Sequence, residues 1–482
     1  MRKYNQQQKK RRIVMKKKAL ILLLVLVVAC TSLLALAACN KDDGKTHIVF
    51  YHTMGANLRE VLDKYIAKFE AMYPDYKIDS KQVGSYDDVR NQISSEIMVG
   101  NQPHVAYCYP DHIALYNLTG AVQTLDDFIA STDTVTKADG TTETIGLTQT
   151  QKDDFIKGYY EEGAQFGDGK MYSMPFSKST EVLYYNKTFF DKEKLEVPTH
   201  WWCTESCPAG CKSSMEYVCK TIKSKYKKLI PLGYDSEANW FITMCEQLDT
   251  PYTSAEATTK EGHFLFNTAE NRAFVEKFSD WHSKGYVTTQ KINSGYTSDL
   301  FTAQQSVMCV GSSAGASHQI PENRAFESGI ASIPQANPSS PKVISQGPSV
   351  CIFKKANAEE VKMSWLFVKY LTTSPEFQAE FSVKSGYIPV IKSAANQEAY
   401  KKSIEKANGY ENLPQLSTVV GMAQEEAYYA SPAFYGSSKA RDIVGSLMQT
   451  CFTSSVGKSE AQIKEIVAKA FEKAVKDCVQ SL

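Results

Sequence analysis

Four cysteines, Cys203, Cys207, Cys211 and Cys219, fall within 17 positions of "HWWCTESCPAGCKSSMEYVC" (200–219). Thiols this dense serve as disulfides, metal ligands or redox centres. Three, three and seven residues separate them, without the CxxC pairs usual at zinc sites, so two local disulfides are expected. Zinc, or a partner elsewhere such as Cys245, is the alternative. A second chemical pattern is "GSSAG" (311–315), which fits the G-x-S-x-G nucleophile elbow. That chemistry needs an acid and then a histidine downstream, and the last histidine is His318, five residues after Ser313. The hydrolase reading therefore lacks its base. No HExxH occurs, and the adjacent acids Glu161 and Glu162 read as a solvated face. A surface glycosidase or phosphodiesterase would need two distant acids to meet in a cleft. No enzyme, metal or cofactor is expected.

The ends and the charge narrow the class. Residues 1–18 carry nine Lys or Arg and no acid, and the apolar run "ALILLLVLVVACTSLLALAA" (19–38) follows. This is the order of a secretory signal. "LAAC" (36–39) resembles a lipobox, so Cys39 is expected to be lipidated, with 1–38 as signal peptide and 39–46 as tether. An uncleaved membrane anchor is the alternative. From residue 39 onward, 45 basic residues face 53 acidic ones, a net of −8, which gives no reason to expect nucleic acid. About 444 residues exceed one core.

Elements that could position a site follow an α/β order. "HIVFYHT" (47–53) reads as a strand, "ANLREVLDKYIAKFEAMYP" (56–74) as a helix with Leu58, Val61, Leu62, Tyr65, Ile66 and Phe69 on one face, and "YKIDSKQVG" (76–84) as a strand. Further strands are expected at 104–109, 181–187, 306–313 and 349–355, and helices at 87–100, 111–120, 358–373 and 459–482. Residues 131–150 read as an exposed loop. Alternation of this kind predicts largely parallel sheets.

The stretches "FYHTMGANLREVLDKYIAKFEAMYPDYKI" (50–78), "GNQP" (100–103), "PFSKSTEVLYYNK" (175–187), "MCVGSSAG" (308–315), "FVKYLTTSPEFQAEFSVKSGYIPV" (367–390) and "ARDIVGSL" (440–447) occur in order. Together they resemble the family 1 extracellular solute-binding proteins of ABC importers, and most of all the glycerol-3-phosphate binders among them. The resemblance implies a two-lobe periplasmic-binding-protein-like fold of type II, with a ligand cleft between lobes joined by crossing hinge strands. It implies lobe one at 47–183 and 350–400, and lobe two at 184–349 and 401–482 with a Cys-rich insertion at 202–219. The crossings are expected near 183–185 and 347–350.

Position by position, the resemblance implies ligand contacts from Tyr86, Ser179, Ser312, Gly347, Tyr387 and Arg441, with Asp111 standing where the family has a glutamate. Each is chemically apt. Arg441 can grip phosphate with two parallel N–H donors, serine hydroxyls donate, tyrosines offer flat faces with one hydroxyl, and a helix start at Ser312 favours an anion. Trp201 and Trp240 are possible stacking platforms. The implied function is capture of glycerol 3-phosphate or a related glycerophosphodiester by a lipid-anchored monomer. It would deliver its ligand to permease subunits with a cytoplasmic ATPase. An oligosaccharide ligand, or an adhesive role on the same scaffold, is the alternative.

Overall fold

Short apolar runs alternate with helices along the chain, and the computed structural model assembles them into two separate sheets with helices packed on them. It describes residues 43–205, 207–405 and 412–482, so the basic and apolar leader and Cys39 lie outside the described residues. Two units are distinguished among the described residues: 43–46 with 74–77, joined by Thr46 N–H donating to Asp75 O at 2.8 Å, and the remainder from residue 47 onward, which carries all of the helices and the cavity below. Among the described residues no helix is long and apolar enough to cross a membrane.

The first sheet runs Tyr76–Gln82, Thr46–His52, Val105–Cys108, Ser349–Ile352, Ser173–Pro175. Val105–Cys108 lies parallel to the first strand and antiparallel to Ser349–Ile352. Helix Ala56–Met72 covers this sheet with Val61, Leu62, Tyr65, Ile66 and Phe69, spaced by three or four residues and all buried. Its partner is helix Pro375–Ser385, through an edge-to-face contact of Tyr65 and Phe377 with centroids 5.1 Å apart.

The second sheet runs Tyr428–Tyr429, Val343–Gln346, Ser179–Asn186, Ser306–Ser312, Ile230–Tyr234, Val287–Thr289, with Ser328–Ser332 also paired to Ser179–Asn186. Helices Glu237–Gln247, Ala269–Ser283, Ser437–Ser454 and Glu460–Gln480 enclose its core. Helix Glu237–Gln247 is buried on nearly every face. Trp240 therefore points into packing, stacked on Tyr234 at 4.7 Å, and Trp201 beside it is likewise fully enclosed, its Nε1–H donating to Gln247 at 2.9 Å. Neither tryptophan offers a face to a ligand, which corrects the expectation of stacking platforms.

The chain leaves the first sheet after Pro175 and enters the second at Ser179, then returns between Gln346 and Ser349. Ser179–Leu183, expected in lobe one, thus pairs in the second sheet. The apolar run around Leu183 marks a fully buried strand, not the crossing itself. Lys178 sits in the crossing, fully buried. Its Nζ donates to Glu162 at 2.7 Å, Ser349 Oγ at 3.1 Å and Gly347 O at 3.3 Å, tying one crossing to the other. Glu162, read as solvated, is 3% exposed because it meets this lysine. Gly347 has φ +89°, and a Cβ there would run into Ser177 O and lie 2.9 Å from Lys178 Cα. Glycine is needed at that point for the two crossings to touch.

The Cys-rich segment also differs from expectation. Helix Met215–Lys225 begins four residues before Cys219 and buries Met215, Val218, Cys219 and Ile222 on one face. Cys219 is thus a core residue of the second lobe. All ten described cysteines are free thiols, so none of the expected disulfides is present among the described residues. The stretch 131–150 contains a hairpin, Thr134–Thr136 with Thr142–Thr144, in which Val135 is the one apolar residue, too little for an inward–outward alternation to read.

Candidate functional site

Two helix starts from the first lobe and two from the second converge on one cavity of about 390 Å³. From the first lobe, helix Tyr86–Ile97 presents Tyr86, Asp87 and Arg90, and helix Pro110–Tyr116 presents Asp111 and His112 just after Tyr109. Ser85 fixes the first of these starts with a capping box on Asp88. Pro110 occupies the first turn of the second. From the second lobe come Ser236 to Asn239 and Ile242 on helix Glu237–Gln247, and Ser437, Ser438, Arg441 and Asp442 on helix Ser437–Ser454. Tyr252, Lys291, Ser345 and Ser431 also line it, as does Glu162 from beside the crossing. Arg90 reaches across the cleft, its guanidinium donating to Ser438 Oγ at 2.9 Å.

Of the residues singled out in the sequence, Tyr86, Asp111 and Arg441 line this cavity. Tyr387 stands behind it, its hydroxyl 3.5 Å from that of Tyr86. Asp111 lies in the first turn of its helix, whose N-cap is Tyr109. The other three are not in the wall. Ser179 is buried at the start of a strand, paired with Gln346. Ser312 caps the 3₁₀ segment Ser313–Gln319, accepting from Ala314 N–H at 3.2 Å. Gly347 serves the crossing. "GSSAG" thus opens into a 3₁₀ segment, not into the α-helix the nucleophile-elbow pattern suggested.

Tyr107, Tyr109, Tyr252, His112 and Asn239 join the wall or the ring cluster at Tyr86 without a motif in the sequence that marks them. Tyr86 and Tyr109 have ring centroids 4.9 Å apart, and Tyr86 stacks on Tyr107 at 6.4 Å. Burial, together with neighbouring phenols, holds the Tyr86 hydroxyl well above its usual pKa, so it is a neutral donor at physiological pH. The run "AYCYP" (106–110) carried a signal for this cluster, since Tyr107 and Tyr109 alternate in a strand and share a face.

Two features of the wall point to a ligand. Among the described residues Arg441 forms no ion pair or hydrogen bond, although it faces the cavity. Four buried polar atoms of the same wall, His112 Nδ1, Asn239 Oδ1, Tyr252 Oη and Ser431 Oγ, also lack a partner. Buried polar atoms are usually hydrogen-bonded, and although other unpaired ones lie elsewhere in the interior, these four sit where a ligand in the cavity could pair them.

Behind Asn239 lies Glu181, which accepts from Asn239 Nδ2 at 2.9 Å and from the Tyr234 hydroxyl. Burial pushes its carboxyl up from the usual 4.5 to about 7, aided by Asp235, while those hydrogen bonds and Arg441 pull it down. The folded state holds this proton more tightly than the unfolded chain. Its contribution to stability is therefore complete below pH 4.5 and is lost as pH rises through about 7. Urea midpoints should fall across that window by an amount equal to about 3 kcal/mol. In Glu181→Gln that component should be absent.

The two-lobe α/β scaffold thus carries one cavity walled by elements of both sheets' lobes, rich in hydroxyl, carboxyl and guanidinium groups. The chain belongs to the bacterial extracellular solute-binding proteins, whose family pattern matches residues 64–408. It is 25% identical over 386 residues to the sn-glycerol-3-phosphate-binding periplasmic protein UgpB of Shigella dysenteriae, covering 78% of this chain and 81% of that one. The UgpB of Escherichia coli K12 is 24% identical over the same length, with the same coverage. In fold it is similar to UgpB of Mycobacterium tuberculosis in complex with glycerophosphocholine, with TM-score 0.68 and 16% identity over 90% of this chain and 99% of that one. It is also similar to the acarbose-binding GacH receptor of Streptomyces glaucescens, with TM-score 0.66 and 14% identity over 90% and 99%.

Proposed function

We propose that this protein captures glycerol 3-phosphate or a related glycerophosphodiester in the cleft and delivers it to an ABC permease driven by a cytoplasmic ATPase. Arg441, without a protein partner in a wall of unpaired polar atoms, is the observation that carries this reading. An arginine held in a cleft without a carboxylate partner is disposed to accept an anion from outside the protein, and its planar fork matches phosphate. Tyr86, Asp111, Asn239 and Tyr252 would serve the glycerol hydroxyls, with Asp111 as acceptor and the phenols as donors. The UgpB relatives lend the ligand class its support. Ser179, Ser312 and Gly347 would shape the crossing behind the ligand, and Tyr387 would orient Tyr86.

Capture without turnover needs no base or nucleophile, in keeping with the binding family. The basic and apolar leader and Cys39 support an anchor at the outer face of the cell membrane, with the protein acting as a monomer. A thermal-shift screen tests the ligand class. Glycerol 3-phosphate and glycerophosphocholine should raise the melting temperature, and glycerol and maltose should not. Stabilisation by maltodextrins alone would transfer the site to oligosaccharides.

A further inference from the structure

The four cysteines of the segment separate into two environments. Cys219 is sealed in the core of the second lobe, and the other three cysteines turn toward a residue outside the cysteine pattern, His200. One ligand atom from each of His200, Cys203, Cys207 and Cys211 lies within 4.8 Å of all the others. The sulfurs of Cys203, Cys207 and Cys211 stand 3.8, 3.5 and 3.5 Å from His200 Nε2. Zinc bonds of about 2.3 Å to sulfur and about 2.0 Å to nitrogen, at tetrahedral angles, separate a sulfur from a nitrogen by about 3.5 Å. The observed spacing is that of a tetrahedral set around one ion. We propose that His200, Cys203, Cys207 and Cys211 form a structural zinc site.

Three further observations fit. The Nδ1 side of His200 faces Thr199 Oγ1 at 3.1 Å, which leaves Nε2 turned toward the thiols, and Ser213 Oγ lies 3.6 Å from Cys211 Sγ. Outer partners of this kind orient ligands at metal sites. The base of the segment is closed by backbone hydrogen bonds, from Thr199 N–H to Ser213 O at 2.9 Å and from Met215 N–H to His200 O at 2.8 Å. Between those closures, 203–205 and 207–213 form neither helix nor strand and are exposed or half-exposed, so apolar burial does little to hold them. A metal supplies that constraint in segments too polar to build a core. All four positions are filled by protein, and none of the four lines the cleft cavity, so the site is structural and separate from ligand capture. The pattern in this chain is H-x₂-C-x₃-C-x₃-C, which is why a search for CxxC pairs passes over it.

The test uses the full chain purified in detergent without a metal-affinity step. Mass spectrometry of the metal content should find one zinc per chain. Replacement by Co²⁺ should give the intense thiolate-to-cobalt charge-transfer band and red d–d bands of tetrahedral sulfur-rich coordination. Cys207→Ser and Cys211→Ser should each lose stoichiometric metal. Thr199→Val, which touches only the outer contact to His200, should weaken zinc by about 10–100-fold. The cobalt spectrum of the unmodified chain decides the matter even where a variant folds poorly. Substoichiometric zinc after reduction and Zn²⁺ addition, or peptide mapping that finds a disulfide joining two of the three cysteines, would overturn the site.

Discussion

Arg441→Ala should weaken binding of glycerol 3-phosphate by at least about a hundredfold while leaving the unliganded protein as stable as before. A hydrogen bond to a charged group contributes about 1.5–3 kcal/mol, and a bidentate grip makes two of them. Each 1.4 kcal/mol is about tenfold in affinity. The absence of any protein partner for Arg441 among the described residues makes the second half of the prediction. No ion pair or hydrogen bond among those residues uses its guanidinium, and its longer-range pull on the Glu181 carboxyl is the smaller influence there, so the urea midpoint of the apo protein should shift by no more than about 0.5 kcal/mol. Arg441→Lys keeps the charge but loses the planar fork, and should fall between the two. Titration calorimetry on the three proteins reads the series. Equal affinities would remove Arg441 from the anion site.

The second large effect lies in the crossing. Lys178→Met should destabilise the protein by about 3–5 kcal/mol, because it leaves Glu162 buried without its cation. The same lysine also donates to Gly347 O and Ser349 Oγ, so its loss frees one crossing from the other. Lys178→Met combined with Glu162→Gln should recover much of the loss, since the cost is chiefly that of the orphaned charge. Chemical denaturation measures both. A loss below about 1 kcal/mol for the single variant would show that the pair is not what holds the crossings together.

The fold was legible wherever burial imposed a period. The buried face of Ala56–Met72 appears as read, because apolar residues spaced by three and four fall on one side of a helix and on no single side of a strand; helix 358–373 also appears, but it buries Met363 to Lys369 without a break and so has no single inward face. Strands 104–109 and 306–313 appear as Val105–Cys108 and Ser306–Ser312, since short apolar runs bounded by polar turns suit a buried strand. The Lys178–Glu162 pair was not legible, since two charged residues 16 positions apart announce exposure until the fold encloses both. The site was half legible. Tyr86, Asp111 and Arg441 reach the cavity wall, but Trp201 and Trp240 do not, since an aromatic ring reads alike whether it faces a cleft or a core. Tyr252 and Asn239 join the wall only because distant elements meet there. His200 is not legible from the thiol spacing, since an imidazole three residues before Cys203 joins the sulfurs only once the segment folds back on itself.

Titration calorimetry of the unmodified chain with glycerol 3-phosphate, beside maltose, tests ligand capture most directly. One binding site per chain for the phosphate, with no heat beyond dilution for maltose, is the predicted result. Binding of maltose with none for glycerol 3-phosphate or glycerophosphocholine would contradict it.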